Sequence, residues 1–599
     1  MDNIKKEKAK YNIFQNMAYA FGNIWRWDKF YYFAFIPKIP LSIFLPLAAI
    51  YFPALLISLI EQQVSDLVML LNIGIYCLIL AATGLINLFC DGKIRSTGWT
   101  FNLKYCHIIN AKQRETDYEN IENPKITDML DQSWRGAQSG ENMPQELNSL
   151  MINLLGIFTY GSIIGVLNPI IILLIAVSSF INYAVLTHVR NYTDRNKDKW
   201  THLDRKSNYL YDISTQYEHG KDIKLYNMRV WLIKLTKYYQ DLRMKWHKKI
   251  DNKNMTAGFV DGGLRFIRDG VAYAVLITMF LDNKIDLGSF IFYFGIIAGF
   301  SNWLSSVIGQ FSTIAAQNID INRLRAYLEV EDKFNHGAGI ALPKEMPYEI
   351  EFKNLSYTYP GAEKPAVDNI SFKINKGERL AVVGVNGAGK TTLVKLMCGL
   401  YYPMSGQVIL NNKDAREYNI SEYYTQFAAV FQEVSLVPIS IADFIAGNGE
   451  NTDIQKVREV LKLAGLDSVV DALPNGMRTT LMKGIYDDGV DLSGGEKQKL
   501  MLARALYKDA PVIVLDEPTA ALDPIAENEL YLKYADLTQG KTSVYISHRL
   551  SSTRFCDRII FIQDGKIMES GSHSELMELD GLYANMFNIQ SHYYKNNAV

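Results

Sequence analysis

The chain has little cysteine. Its five cysteines (Cys77, Cys90, Cys106, Cys398, Cys556) are scattered through 599 residues without a Cys-x-x-Cys pair. That spacing argues against a zinc site and against a disulfide framework, and leaves free thiols as the expectation. Net charge is also lacking: the formal value is −1 at pH 7, so no basic field points to nucleic acid. The stretch from Met1 to Asn16 is charged, with no apolar core and no small-residue cleavage site, so a cleaved signal peptide is not expected. The first membrane segment would then act as its own insertion signal. Mean hydropathy is only −0.03 although 48% of the residues are hydrophobic. That average conceals two unlike halves, and the length itself calls for more than one domain.

Long uncharged runs fill the first half: Ile39 to Ile60, Leu67 to Phe89, Leu147 to Val189 (His188 counted neutral) and Leu287 to Ile319. A spanning helix needs roughly 20 mostly apolar residues, and the third run is long enough for two, with Asn168-Pro169 as the turn near its middle. Val271 to Leu281 completes a further span if the charges just before it are accommodated. The expectation is six transmembrane helices. The connections around Glu61–Asp66, Leu167–Pro169 and Asp282–Asp286 are short and almost free of Lys and Arg. The stretches around 91–146 and 190–256 are long and rich in both. By the positive-inside rule, the N-terminus, the long loops and the C-terminal half share the cytosolic side. Leu203 to Met244 keeps apolar residues at helical spacing, so the long loops read as helices that leave the membrane and return. Trp25, Trp27, Phe30, Tyr31 and Tyr32 suit an interfacial belt or elbow helix. Pro37, Pro40, Pro46 and Pro53 are expected to kink or delay the first span.

The organisation expected is a membrane region over 1–320, a linker over 321–346, and an α/β domain over 347–599 in which short β-rich runs alternate with helical patterns. Gly384-Val-Asn-Gly-Ala-Gly-Lys-Thr391 fits G-x-x-x-x-G-K-[ST], follows the apolar strand Arg379–Val383 and opens a helical stretch. Such a loop wraps phosphates with backbone N–H groups at a helix N-terminus. Gly384, Asn386, Gly387, Gly389 and Thr392 are its candidate ATP contacts, Lys390 the candidate for the β/γ-phosphates, and Thr391 a candidate Mg2+ ligand. Val512-Ile-Val-Leu-Asp516-Glu517 is a branched, buried strand ending in two acids. Asp516 is a candidate Mg2+ ligand, and Glu517 is placed to activate a water for attack on the γ-phosphate.

Leu492-Ser-Gly-Gly-Glu496, between the phosphate loop and Asp516, resembles the signature of ATP-binding cassette (ABC) proteins. With six spans followed by one cassette, nearly the whole chain resembles a half-transporter of the type IV exporter fold. The resemblance implies further roles. Tyr359 would stack on adenine. Gln432 would sense Mg2+ and the attacking water. Ser493, Gly494 and Gly495 would cap the γ-phosphate of the opposite subunit. Asp523 would link the two ATP sites, and His548 would contact the γ-phosphate. It also implies coupling helices near Asp117–Asn123 and His219–Tyr226, and alternating access in a dimer. Because each hydrolytic position carries a competent residue, a homodimer is favoured over a heterodimer. The sequence departs from the family at Glu496, where Gln is commoner, and at Gly484–Gly489, which lacks the usual Glu-containing consensus.

The expected activity is ATP-driven export of a peptide, a drug-like amphiphile or another small substrate across the plasma or inner membrane. The lipid bilayer is the medium and no nucleic acid is a partner. A lipid flippase and an ATP-gated channel or regulatory subunit are the alternatives. Arg265, Arg268 and Asp269 fall within or near the inner leaflet if the fifth span is counted back from Asp282. They either line a transport cavity or its gate, or are solvated by a helix set deeper in the cytosol.

Overall fold

A computed structural model describes residues 10–596, except 168, 217–218, 448, 450, 485, 518–537, 539 and 548–549. Asp523, His548 and Asn168 lie outside the described residues. The chain forms two compact units: Met1–Ala111 with Met129–Glu329, and Lys112–Asp128 with Val330–Val599.

The first unit is helical. α1 (Ile13–Trp27) starts at a capping box between Asn12 and Gln15, which satisfies two of its free N–H groups. A 3-10 turn, Lys29–Ala34, leads into α2 (Phe35–Glu61). Pro40, Pro46 and Pro53 lie inside α2, which still runs unbroken. The connection to α3 (Asp66–Glu115) is short. α4 (Tyr118–Glu122) belongs to the second unit, and α5 (Pro124–Leu167) returns to the first. α6 (Pro169–Asn196), α7 (Asp198–Thr215), α8 (Gly220–Leu225), α9 (Arg229–Leu281) and α10 (Leu287–Leu328) complete it. α4 and α8 therefore occupy the two segments expected to hold coupling helices. α10 runs eight residues into the stretch read as linker, because Asn322 and Arg325 are engaged by Tyr11 and Asn16 next to α1.

Between α5 and α10, a glycine on each helix faces a large ring on the other. A Cβ on Gly156 would run into the Trp303 ring, and one on Gly299 into the Tyr160 ring. Small residues opposite large rings permit this packing where hydrocarbon solvent offers no drive for association. Tyr160, Ile164, Ile171, Ile175, Leu276 and Ile296 are all but sealed in the core that results. Five helices among the described residues are long and apolar enough to cross a membrane: Lys29–Glu61, Asp66–Glu115, Pro124–Leu167, Ile171–Thr193 and Leu287–Leu328. The sixth expected span is the end of α9. Its charges at 261, 265, 268 and 269 set it apart from the other five.

The second unit carries two sheets. β1 (Ile350–Tyr357), β2 (Val367–Ile374), β4 (Ser405–Leu410) and β5 (Lys413–Asp414) form an antiparallel sheet in the order β2-β1-β4-β5. The second sheet has the order β10-β9-β3-β8-β7-β6. β3 (Arg379–Val383), β6 (Phe427–Val430), β7 (Val512–Asp516), β8 (Thr542–Ile546) and β9 (Arg558–Gln563) are parallel, and β10 (Lys566–Gly571) closes one edge antiparallel. β7 and β8 are buried at every position, as expected of branched strands covered on both faces. β3 and β7 lie on either side of β8, and all three are parallel, so their carboxyl ends fall at the same edge of the sheet. Ligands of open α/β sheets sit at such carboxyl ends.

Candidate nucleotide site

The loop after β3 turns sharply into the helix Lys390–Met397. Gly389 has φ +101°, and a Cβ there would overlap the Ala366 carbonyl oxygen; Gly384 has φ +149° and meets Ile562 in the same way. Only glycine fits both demands. The loop walls a cavity of about 1090 Å3 that Tyr359, Asn386, Gly387, Gly389, Lys390, Thr391, Thr392, Gln432 and Glu517 also line. Residues from four separate stretches of sequence thus meet around one space.

Lys390 is almost buried. Its Nζ donates to the carbonyls of Gly384 and Val385, each at 3.0 Å, so it curls back over the loop. Burial pushes its ammonium below the ordinary lysine range, against the opposing charges of Glu517 and Asp516. Thr391 Oγ1 donates to Asp516 Oδ2 at 2.9 Å at the floor of the site. The pair offers two hard oxygens, one of them a carboxylate that is 1% exposed, and this fits a small divalent cation. Glu517 follows directly at φ +50°, its N–H held by the Ile546 carbonyl at 3.0 Å. That backbone turn brings its carboxylate to the cavity, where burial raises its pKa and Lys390 opposes the shift. Tyr359 presents a half-exposed ring at the rim. Its hydroxyl is 2.9 Å from Thr392 Oγ1, and its ring stands edge-on to Tyr357 and Tyr401.

Ser493, Gly494 and Gly495 are absent from this cavity. Ser493 instead caps the helix Gly494–Lys508 in a capping box with Glu496, whose carboxylate accepts from the Ser493 N–H and hydroxyl, each at 2.8 Å. This gives Glu496 a reason of its own: a carboxylate at the helix start satisfies free N–H groups and complements the dipole. Lys364, Asp368, Asp564 and Lys566 also line the cavity and were not singled out from the sequence. Asp564-Gly565 is a β-hairpin turn signal, with φ +49° and +75°, but nothing local places that turn beside the phosphate loop.

α4 rests against the same subdomain. Glu122 accepts from Tyr118 at 2.7 Å and from Tyr401, and lies 3.2 Å from Lys395 Nζ, one turn along the helix that Lys390 opens. Asp117 accepts from the backbone N–H groups of Lys333 and Phe334, at 2.6 and 3.2 Å, and lies 2.7 Å from His336 Nε2.

Residues 367–520 match the family model described as ABC transporter. Subtilin transport ATP-binding protein SpaT of Bacillus subtilis is 29% identical over 83% of this chain and 81% of its own length. An ATP-dependent lipid A-core flippase of Burkholderia orbicola (strain AU 1054) is 41% identical over 40% of each chain, so that match spans well under two thirds of the flippase. A bacterial Atm1-family ABC exporter solved with ATP bound shares the fold, with a TM-score of 0.75 at 20% identity over 94% of this chain and 98% of that one. A domain of this family, a relative aligned along most of the length and an exporter fold throughout lead to one conclusion: the chain carries an ABC transporter domain at residues 367–520, is similar along its length to ABC exporters, and is a multi-pass membrane protein whose cassette hydrolyses ATP to drive export.

Proposed function

We propose that ATP is held and cleaved in the cavity between the β3 loop and the end of β7. The observation that carries this reading is the convergence of Lys390, Thr391, Asp516 and Glu517 from two distant motifs at one site. Loop N–H groups and Lys390 hold the phosphates, and Tyr359 takes the adenine on its exposed ring face. Thr391 and Asp516 would hold Mg2+, which would supply neutralisation of phosphate charge there. Gln432 orients the attacking water. Glu517 accepts a proton from that water as its oxygen bonds to the γ-phosphorus and the bond to the β-phosphate oxygen breaks. Burial suits Glu517 to this task, because a raised pKa makes its carboxylate a better proton acceptor. His548 and Asp523 keep the roles the family resemblance gives them.

Ser493, Gly494 and Gly495 lie outside the cavity of their own chain, so the reading includes a second half-transporter whose signature closes this site. A homodimer is the simplest such assembly, since this chain supplies a competent residue at each hydrolytic position. Lys and Arg gathered in the long loops support a reading with the N-terminus and cassette in the cytosol and the chain in the plasma or inner membrane. ATP drives alternating access by binding the closed state more tightly than the open one.

The cargo class is an amphiphile or peptide moved outward, supported by the long alignment with a protein named for subtilin transport. Lipid flipping is the second reading, favoured by the higher identity, over a shorter stretch, to proteins named as lipid A-core flippases. The test is Mg2+-dependent ATPase of the chain alone in proteoliposomes, beside Glu517→Gln. Turnover in the wild type and none in the variant supports a self-sufficient homodimer with Glu517 as base. No turnover in a wild type that binds ATP overturns the self-sufficient homodimer. Fluorescent-lipid translocation in the same vesicles separates flipping from export.

A further inference from the structure

The rim of the nucleotide cavity at Tyr359 is built from aromatic rings. One of those rings is anchored by a residue 279 positions earlier in the chain. Tyr359 meets its neighbours at three points. Its hydroxyl is 2.9 Å from Thr392 Oγ1, and its ring stands edge-on to Tyr357, at 5.4 Å and 83°, and to Tyr401, at 5.6 Å and 86°. Tyr357 and Tyr401 lie flat against each other, with centroids 5.0 Å apart and planes 3° from parallel, and each is 1% exposed. Edge-to-face contacts favour one ring angle, because a positive ring edge meets a negative face. The half-exposed face of Tyr359 is therefore set by two buried rings.

Tyr357 ends β1 and is placed by the sheet. Tyr401 lies in the turn between the helix Lys390–Met397 and β4, so its ring depends more on what its hydroxyl finds. Lys395 Nζ donates to that hydroxyl at 2.9 Å. An ammonium only donates, so the hydroxyl proton goes the other way, to Glu122 Oε2 of α4. Glu122 also accepts from Tyr118 at 2.7 Å and lies 3.2 Å from Lys395 Nζ. α4 is held on the cassette at its start as well. Asp117 accepts from the N–H groups of Lys333 and Phe334, and Glu119 Oε2 accepts from the Tyr402 N–H at 3.3 Å. The acid thus reaches Tyr401 on an element fixed at both ends.

We propose that Glu122 is a positioning residue for nucleobase binding: by holding the Tyr401 hydroxyl it sets the ring against which Tyr359 stands, and with it the platform that adenine meets. The proposal rests on the reading of Tyr359 as that platform. Without Glu122 the Tyr401 proton loses its acceptor, and a hydroxyl on a 1% exposed side chain gains another only if the ring moves. Tyr359 then loses one of its three contacts. The phosphate end of the cavity is fixed by other means, the glycine backbone angles and the Thr391–Asp516 bond, so the effect is confined to the base. By linkage, anything that draws α4 off Tyr401 weakens ATP more than it weakens a triphosphate without a base.

The test compares ATP with tripolyphosphate, which offers phosphates without base or sugar, on the full chain in lipid nanodiscs. A Glu517→Gln background keeps ATP intact, and both ligands are measured by displacement of a fluorescent ATP analogue. Glu122→Ala should weaken ATP about two- to tenfold, the range that one edge-to-face ring contact carries, and leave tripolyphosphate unchanged. Glu122→Gln, which keeps an acceptor, should restore ATP affinity. Tyr401→Phe, which keeps the ring without its hydroxyl, should match Glu122→Ala. Joining the two should add nothing, since both remove one bond. Equal weakening of both ligands would reduce Glu122 to a structural prop and overturn the proposal. So would additive losses in the double variant, or Glu122→Gln no better than Glu122→Ala. Tyr359→Ala separates the proposal from the reading beneath it. If Tyr359→Ala lowers the preference for ATP while Glu122→Ala leaves it whole, the proposal alone falls. If Tyr359→Ala keeps the preference, adenine rests elsewhere and both fall.

Discussion

The Thr391 hydroxyl donates to Asp516 Oδ2 at 2.9 Å across a separation of 125 residues. The bond joins the first turn after the phosphate loop to the end of β7, beside the cavity that Thr391 and Glu517 line. Asp516→Asn and Thr391→Ala each remove one oxygen donor suited to a divalent cation. Mg2+-dependent ATPase should fall by at least about a hundredfold in either variant. In an Mg2+ titration the apparent affinity should fall before nucleotide binding measured without metal does. An unchanged Mg2+ dependence in both would remove them as ligands.

Glu517→Gln keeps the shape of the side chain and removes its capacity to accept a proton. Turnover should drop by about 10²- to 10⁴-fold, while binding of a fluorescent ATP analogue persists. The wild-type pH profile should carry an acid limb. Glu517 acts as base only when ionised, and burial raises its pKa, so activity falls as pH drops through a value above the ordinary glutamate range. An acid limb at or below the ordinary range would count against Glu517 as the group titrating.

Gly389 stands at φ +101° with the Ala366 carbonyl oxygen where a Cβ would go. Gly389→Ala therefore forces the loop backbone to move rather than a flexible side chain. Loss of ATP binding by isothermal titration is expected, with the cassette still folded by circular dichroism. Gly387→Ala, with φ +78° and open space at the Cβ position, should be milder.

Glu122 joins α4 to Tyr401 and Lys395. Tyr401 is 1% exposed, so Glu122→Ala leaves its hydroxyl proton without an acceptor, although Lys395 still donates to the oxygen at 2.9 Å, at a cost of about 1 to 3 kcal/mol. Thermal unfolding should register this, and Glu122→Gln, which keeps an acceptor, should lose less. Burial alone would raise the Glu122 pKa, but hydrogen bonds from Tyr401, Tyr118 and Lys395 outweigh it and the net shift is downward. A depressed folded value stabilises at pH above the unfolded value and fades as pH falls through the folded one. The gap between wild type and Glu122→Gln should therefore be widest near neutrality and close in acid. A gap independent of pH would mean that the carboxylate charge contributes nothing.

Ser493→Ala removes one side of the capping box at Gly494 and should cost about 1 kcal/mol. Glu496→Gln keeps a side-chain acceptor for the Ser493 N–H and should be nearly neutral in unfolding experiments.

The phosphate loop was legible because its chemistry needs consecutive residues: glycines for positive φ, then Lys390 and Thr391 at a helix start. The strand ending in Asp516 and Glu517 was legible because a strand buried on both faces must be a run of branched residues. The apolar spans were legible because hydrocarbon tolerates few charges. Lys364, Asp368, Asp564 and Lys566 were not, because ordinary surface residues reach the cavity only when β9 pairs with β3 and the β9–β10 turn meets β2, where the Asp368 N–H donates to the Gly565 carbonyl at 2.9 Å. The short helix at Tyr118–Glu122 could be expected from family resemblance, but its partners Tyr401 and Lys395 could not, since no local pattern marks a docking carboxylate.

The sequence by itself determined the order of parts, the identity of the phosphate loop and the presence of membrane segments, because each follows from short-range rules about backbone angle, period and burial. It left the charges of α9 between two readings, a cavity face and a solvated surface. Only the tertiary structure decided that Arg265 pairs with Asp261 and Ser305 while Arg268 is buried and pairs with Asp269. The reason is physical: whether a charge is satisfied depends on which acceptors neighbouring helices bring within about 3 Å, and that is a property of packing between α6, α9 and α10 rather than of any stretch of chain.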